Sequence, residues 1–165
     1  MGDPLHPALV HVPLGLAFVL PWVTAGMAVA IDRGLLPRRA WVLVALLQLL
    51  VVAGGAAALL SGFREEHAVD GFVSGRLVHR HEERAVAFLV GAALLLALCT
   101  AVLAVPPGRV RAVAALATAG SLVVAGLGLW TGKAGGDLVY RHGAAAAYRV
   151  QPEQGALEGI APLAR

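Results

Sequence analysis

The stretch Ala40–Ser61, AWVLVALLQLLVVAGGAAALLS, decides the fold. It holds no Asp, Glu, Lys or Arg, and its only amide is Gln48. A helix rises about 1.5 Å per residue and the hydrocarbon layer of a bilayer is about 30 Å thick, so a run of this length crosses once as a helix. The run lacks the in/out alternation of a barrel strand. A helix also satisfies its backbone polar groups internally, as lipid demands. Three further runs share the property, at about Ala8–Ala30, Ala85–Val105 and Ala112–Gly132. The fold class predicted is all-α: a four-transmembrane-helix bundle made of two helical hairpins. The membrane domain covers 1–143, and 144–165 form a C-terminal tail.

The rest of the composition agrees. Of 165 residues, 59% are hydrophobic and 14% charged, with a mean hydropathy of +0.78. Soluble domains carry about 25% charged residues, so a soluble enzyme is excluded, and so is disorder. A single cysteine, Cys99, rules out an intrachain disulfide and a cysteine metal cage. The net charge of +3 comes from Lys and Arg that flank apolar runs rather than lining a basic helix face. The partner they imply is the lipid bilayer, not nucleic acid.

Orientation follows from the short loops. Ile31–Arg39 and Pro106–Arg111 are turn-rich and hold Arg33, Arg38, Arg39, Arg109 and Arg111 against one acid, Asp32. That density of cations places them on the cytoplasmic side of a bacterial inner membrane. Both termini and the middle connection, Gly62–Arg84, then lie on the non-cytoplasmic side. Met1–Pro7 lacks the basic n-region of a secretory signal. The middle connection is expected to be long and polar, with Arg76–Arg84 prolonging the third helix. Gly135–Gly143 is expected to be a shaped loop folding over the bundle mouth. Abundant Ala and Gly predict close helix packing, with Thr24, Gln48, Thr100 and Ser121 available for bonds between helices.

All six histidines fall on the external side: His6, His11, His67, His79, His81 and His142. There is a hint of repetition between the hairpins. Leu60-Ser61-Gly62 leading to His67 parallels Trp130-Thr131-Gly132 leading to His142, and His6/His11 parallel His79/His81. A pseudo-twofold axis along the membrane normal would bring the histidine-bearing ends together. Imidazole is the commonest neutral ligand of iron, copper and zinc, and haem b needs axial histidines in an apolar slot, which a helical bundle supplies. On a straight helix, at about 100° per residue, His6 and His11 point roughly 140° apart and His79 and His81 roughly 200° apart. His6 and His11 therefore share a ligand only if the chain near Pro7 is not helical, and one of His79 and His81 faces inward. Arg80, Arg84, Lys133 and Arg141 lie at the same depth and suit haem propionates. Tyr140 adds a polar group there. Glu65–Glu66 and Glu82–Glu83 read as solvated charges, with Glu82 or Glu83 also able to orient a ligating histidine. No Cys-x-x-Cys-His motif, nucleophile motif, phosphate loop or zinc-protease signature is present. No charge lies within a span, which argues against a proton pump. Whether the chain is an enzyme is left open.

His6-Pro7-Ala8-Leu9-Val10-His11-Val12-Pro13-Leu14-Gly15 resembles the opening of a bacterial family of four-helix membrane proteins known as a domain of unknown function, whose members open His-Pro-x-x-Val-His-Phe-Pro-Ile. Gly135-Gly136-Asp137-Leu138-Val139-Tyr140-Arg141-His142-Gly143 is similar to its closing motif, Gly-Gly-x-Leu-Val-Tyr-x-His-Gly. A histidine before the third span fits as well, and Val12 departs from the usual aromatic. The resemblance covers about Pro4 to Gly143 and implies a redox-associated membrane protein, since some relatives are joined to Rieske-type or cytochrome c-type domains. Any such partner is expected to be a separate protein here.

The expected function is therefore an integral membrane haem b protein passing electrons between a membrane donor such as quinol and an external acceptor. His11, His81, His142 and His6 are the expected axial ligands, in that order, with His79, Arg84, Tyr140 and Arg141 as further cofactor-binding residues. Two alternatives stay open. One is a non-haem copper, iron or zinc site on the same four histidines; the other is a cofactor-free scaffold or assembly subunit. Either form can be a homo-oligomer.

Overall fold

The structure is a computed structural model that describes residues 5–148. A short helix α1 (His6–Leu9) leads into α2 (His11–Asp32), followed by α3 (Val42–Val69), α4 (Gly75–Ala104) and α5 (Val110–Tyr140). Single 3₁₀ turns at Arg38–Trp41 and Pro107–Arg109 join each hairpin. All four long helical segments have the length and hydropathy to cross a membrane. The chain is thus an all-helical bundle of four membrane-length helices. Consecutive helices pack side by side, and α5 closes the ring against α2. α2 and α4 therefore face each other across one diagonal, and α3 and α5 across the other.

The helices are longer than the apolar runs. α3 continues to Val69 and α4 starts at Gly75, so the middle connection is only Asp70–Ser74, not a long polar loop. Polar composition marks where a helix leaves lipid, not where it ends. The turn comes instead at Gly71, whose φ of +81° suits glycine. Likewise Gly135–Tyr140 is not a loop but the last turns of α5, and the chain reverses only at Gly143, φ +78°. The start of the expected tail packs on the bundle, with Ala144 and Ala147 buried. Beyond 148 the tail lies outside the described residues.

Alanines and valines make up most of the core, with Leu20, Trp41, Phe88 and Leu95 as its large side chains, while many other leucines and valines are exposed on the outside of the bundle. Trp41 is fully buried and donates to the Cys99 carbonyl at 3.1 Å, while Arg38 Nε donates to the Val102 carbonyl at 2.9 Å. These bonds tie the first hairpin turn to the C-terminal turns of α4, and the Val102 carbonyl is one of the four that the helix itself leaves unpartnered. Inside the bundle, Gln48 Nε2 donates to the Ala92 carbonyl at 2.8 Å, and the Thr24 and Ser121 hydroxyls meet at 3.2 Å. Thr100, expected to bond between helices, instead donates to Ala97 of its own helix and is exposed.

The burial pattern reveals the repeat. Pro13, Ala17, Leu20 and Thr24 are buried on α2; Phe88, Ala92, Leu95 and Cys99 are buried on α4 at the same spacing. Val44, Gln48, Val51, Gly55 and Ala58 on α3 match Ala117, Ser121, Val124, Gly128 and Thr131 on α5, again at the same spacing. In this register His6 corresponds to His81 and Gly62 to Gly135. The register read from the sequence, Gly62 with Gly132, is one helical turn off. Short Ser/Thr-Gly matches misled it, whereas the buried stripe fixes the face. Contacts follow the same register: Gly55 on α3 packs against Leu89 of α4 as Gly128 on α5 packs against Leu14 of α2, so the hairpins pair as a pseudo-twofold axis along the bundle would relate them.

Candidate functional site

Two helix-end histidines meet at that axis. His6 reaches it from α1, which a single turn residue, Val10, joins to α2. His81 reaches it from α4. Their ring centroids lie 6.2 Å apart with the planes at 81°. A twofold axis forces this meeting: any residue pointing at the axis from one hairpin finds its counterpart from the other.

Each ring sits on a glycine of the second helix of its own hairpin. A Cβ on Gly62 would approach His6 Cε1 to 3.2 Å, and one on Gly135 would approach His81 Cε1 to 3.1 Å. Glycine at both positions therefore lets α3 and α5 press against the rings. One level deeper, the Phe88 ring fills the space between Gly55 and Gly128 and floors the site.

His6 is tightly positioned. Its Nδ1 lies 2.8 Å from the Ala58 carbonyl and 3.1 Å from Ser61 Oγ. A carbonyl only accepts, so Nδ1 carries a proton and a neutral ring keeps its lone pair on Nε2. The backbone N–H groups of Leu5 and His6 donate to Glu65 Oε1 at 2.9 and 3.0 Å. The carboxylate thereby serves the start of α1, which has no side-chain cap of its own. Tyr148 donates to the other oxygen, Oε2, at 3.2 Å. Burial, with the Glu65 charge and hydrogen bond behind it, holds the Tyr148 hydroxyl above its ordinary pKa, so it remains a donor. Glu65 was expected to be solvated and is instead a three-bond anchor. On α4, His81 Nδ1 is buried and has no hydrogen-bond partner among the described residues.

The other expected ligands lie apart. His11 begins α2 and is exposed. His142 is exposed and lines a cleft with Leu77, Arg80, Arg84, Asp137 and Leu138. His79 turns outward to Glu82 and Glu83 at 3.6 and 3.4 Å, so those acids do not orient His81. His67 sits in solvent by Asp70. Tyr140 is exposed, Arg141 pairs with Asp137 at 3.2 Å, and the Arg84 guanidinium lies 4.7 Å over the Trp130 ring. Among the described residues no three of His, Cys, Asp and Glu gather as a metal cage. The site the structure assembles is a pair, His6 and His81. Sequence reading missed Ala58, Ser61, Gly62, Glu65 and Gly135 as its supports. No local signal marked them, because the register that pairs Gly62 with Gly135 emerges only from which residues are buried.

The pair lies at the edge of the hydrocarbon layer. About 20 helical residues span that layer, which from Arg111 leads to Thr131 on α5 and from Ala104 leads back to Arg84 on α4. Gly62, Gly135 and both imidazoles sit near that end.

Four apolar membrane-length helices, carrying paired imidazoles where they emerge at one end, define a multi-pass membrane protein. The chain belongs to the family of predicted membrane proteins DUF2231, whose model matches residues 2–147. No curated protein and no solved structure matches it.

Proposed function

We propose that His6 and His81 together ligate one metal atom, the iron of a haem b, making this protein an electron carrier at the outer membrane surface. The observation that carries the reading is the ring separation. Metal–nitrogen bonds are about 2.0–2.1 Å, so two imidazoles on opposite sides of one metal atom have centroids about 6 Å apart. The rings here are 6.2 Å apart. Donor chemistry supports it: the Ala58 carbonyl fixes the His6 proton on Nδ1 and leaves Nε2 for a metal, the usual outer support of a ligating histidine. Haem would supply one-electron chemistry, and the protein would hold, orient and shield it. The reading replaces His11 and His142 with a symmetric pair. A membrane quinol as donor and a separate Rieske-type or cytochrome acceptor remain the proposed partners, with the histidine end facing away from the cytoplasm.

A second reading rests on a specific observation. Gly62 and Gly135 hold α3 and α5 close against the two rings, where even an added Cβ would come within 3.2 and 3.1 Å. That leaves room for an ion rather than a macrocycle, and favours a bare copper, iron or zinc ion.

The test is an absorption spectrum and elemental analysis of protein purified in detergent from haem-replete cells. The haem reading expects a Soret band that is lost in His6→Ala and in His81→Ala, yet kept in His11→Ala and His142→Ala. One metal atom per chain without that band selects the bare ion. A colourless, metal-free preparation refutes both.

A further inference from the structure

We infer that the cleft between α4 and α5 at the histidine end is a binding site for the phosphate of one anionic phospholipid headgroup. This inference does not rest on the metal reading, because neither His6 nor His81 lines the cleft. Leu77, Arg80 and Arg84 line it from successive turns of α4, Asp137 and Leu138 from α5, and His142 from the turn beyond.

The charge there is unbalanced. Asp137 is the only acid among the lining residues and is already paired, with Lys133 at 2.7 Å and Arg141 at 3.2 Å. Among the described residues no carboxylate pairs with Arg80 or Arg84. Arg84 is instead held from behind by the Trp130 face, which fixes the guanidinium while leaving its donors free. Two arginines and a histidine lining one open cleft match an oxyanion with several acceptor oxygens.

Depth separates a lipid from a free ion. Arg84 and Thr131 mark the hydrocarbon boundary, so the cleft sits at headgroup level. Its walls mix Leu77, Ala134 and Leu138 with the cations. A headgroup whose glycerol continues into the membrane satisfies both parts, whereas inorganic phosphate uses only the charged one. Trp130, half-exposed under Arg84, is the kind of aromatic that sits at this boundary.

The experiment titrates full-length detergent-solubilised protein with phosphatidylglycerol or phosphatidylcholine in mixed micelles, and counts retained lipids by native mass spectrometry. One phosphatidylglycerol per chain is expected, in clear preference to phosphatidylcholine. Basic residues near a membrane surface are each worth about fivefold in anionic-lipid binding, so Arg80→Gln should weaken it about fivefold and Arg80→Lys should largely restore it. Arg80 is exposed, so its loss leaves the fold intact; Arg84→Gln is the stronger variant, checked for folding by its thermal transition. Equal retention of the two lipids, or an Arg80→Gln protein indistinguishable from the parent, overturns the inference. Displacement by millimolar inorganic phosphate overturns the lipid assignment.

Discussion

At the scale of single residues, the site depends on what is missing as much as on what is present. Gly135→Ala would put a methyl 3.1 Å from His81 Cε1, and Gly62→Ala one 3.2 Å from His6 Cε1. Alanine is better than glycine inside a helix by about 0.5–1 kcal/mol. Both variants should therefore fold with near-parental thermal transitions while displacing a ring, seen as a changed metal-site spectrum or reduced loading. Gly136→Ala, next to Gly135 and facing open space, should raise the transition and leave the spectrum alone. Glu65 is the other dependency. Glu65→Gln keeps the shape but removes the charge that serves the start of α1, and should cost about 1–2 kcal/mol with His6 loosened. Tyr148→Phe should cost about 0.5–1.5 kcal/mol. Its signature is in pH: a hydroxyl whose pKa is raised by folding stabilises fully below the ordinary tyrosine value of about 10, and the contribution vanishes as pH climbs through the raised one. The phenylalanine variant should lack that alkaline fall in detergent-denaturation profiles. Sequence marked His6 and His81 as imidazoles near helix ends, but ranked them below or beside His11. His6 and His11, five residues apart, point to different sides of their helical segment, and the sequence does not say which of the two faces the axis.

At the scale of helices, the seams are held mostly by close packing. Gln48 is a fully buried amide, and among the described residues only one end of it is satisfied: Nε2 bonds to Ala92, while Oε1 is buried without a partner. Hydrogen bonds between membrane helices average about 0.6 kcal/mol, and an orphaned acceptor offsets that gain. Gln48→Leu, of similar volume, should therefore change stability by less than about 1 kcal/mol, whereas Gln48→Ala should cost about 2 kcal/mol or more by leaving a cavity. Unfolding by a strong detergent titration distinguishes them. The spans were legible because uninterrupted apolar length has one solution in lipid. The polar extension of α4 over Arg76–Arg84 was expected, but the far ends of α3 and α5 were not, because Arg64–Val69 and Lys133–Tyr140 are polar yet helical. Outside the hydrocarbon, a helix stabilised by its neighbours continues until a glycine at positive φ or a proline stops it.

At the scale of the whole molecule, two equivalent hairpins make one site, and neither holds it alone. His6 comes from the first and His81 from the second, and the axis between them is a property of the assembled bundle. Duplication was faintly legible in the histidine positions, but its register emerges only from which residues are buried. The arrangement predicts how a divided protein behaves. Each hairpin has its own tight turn, and only Asp70–Ser74 links the two. The α2/α5 and α3/α4 seams, together with the Tyr148–Glu65 bond, must therefore hold the halves together without the link. Membrane helices form first and associate afterwards, so a chain cut after Gly71 and co-expressed as two pieces should co-purify as a one-to-one complex. If the paired imidazoles are the metal site, each half expressed alone should be empty and the complex should recover the parental spectrum. Halves that fail to associate would show that the linker, not the seams, holds the hairpins in register. A first hairpin that alone carries the full signal would show that His81 is not needed, and the twofold account of the site would fall.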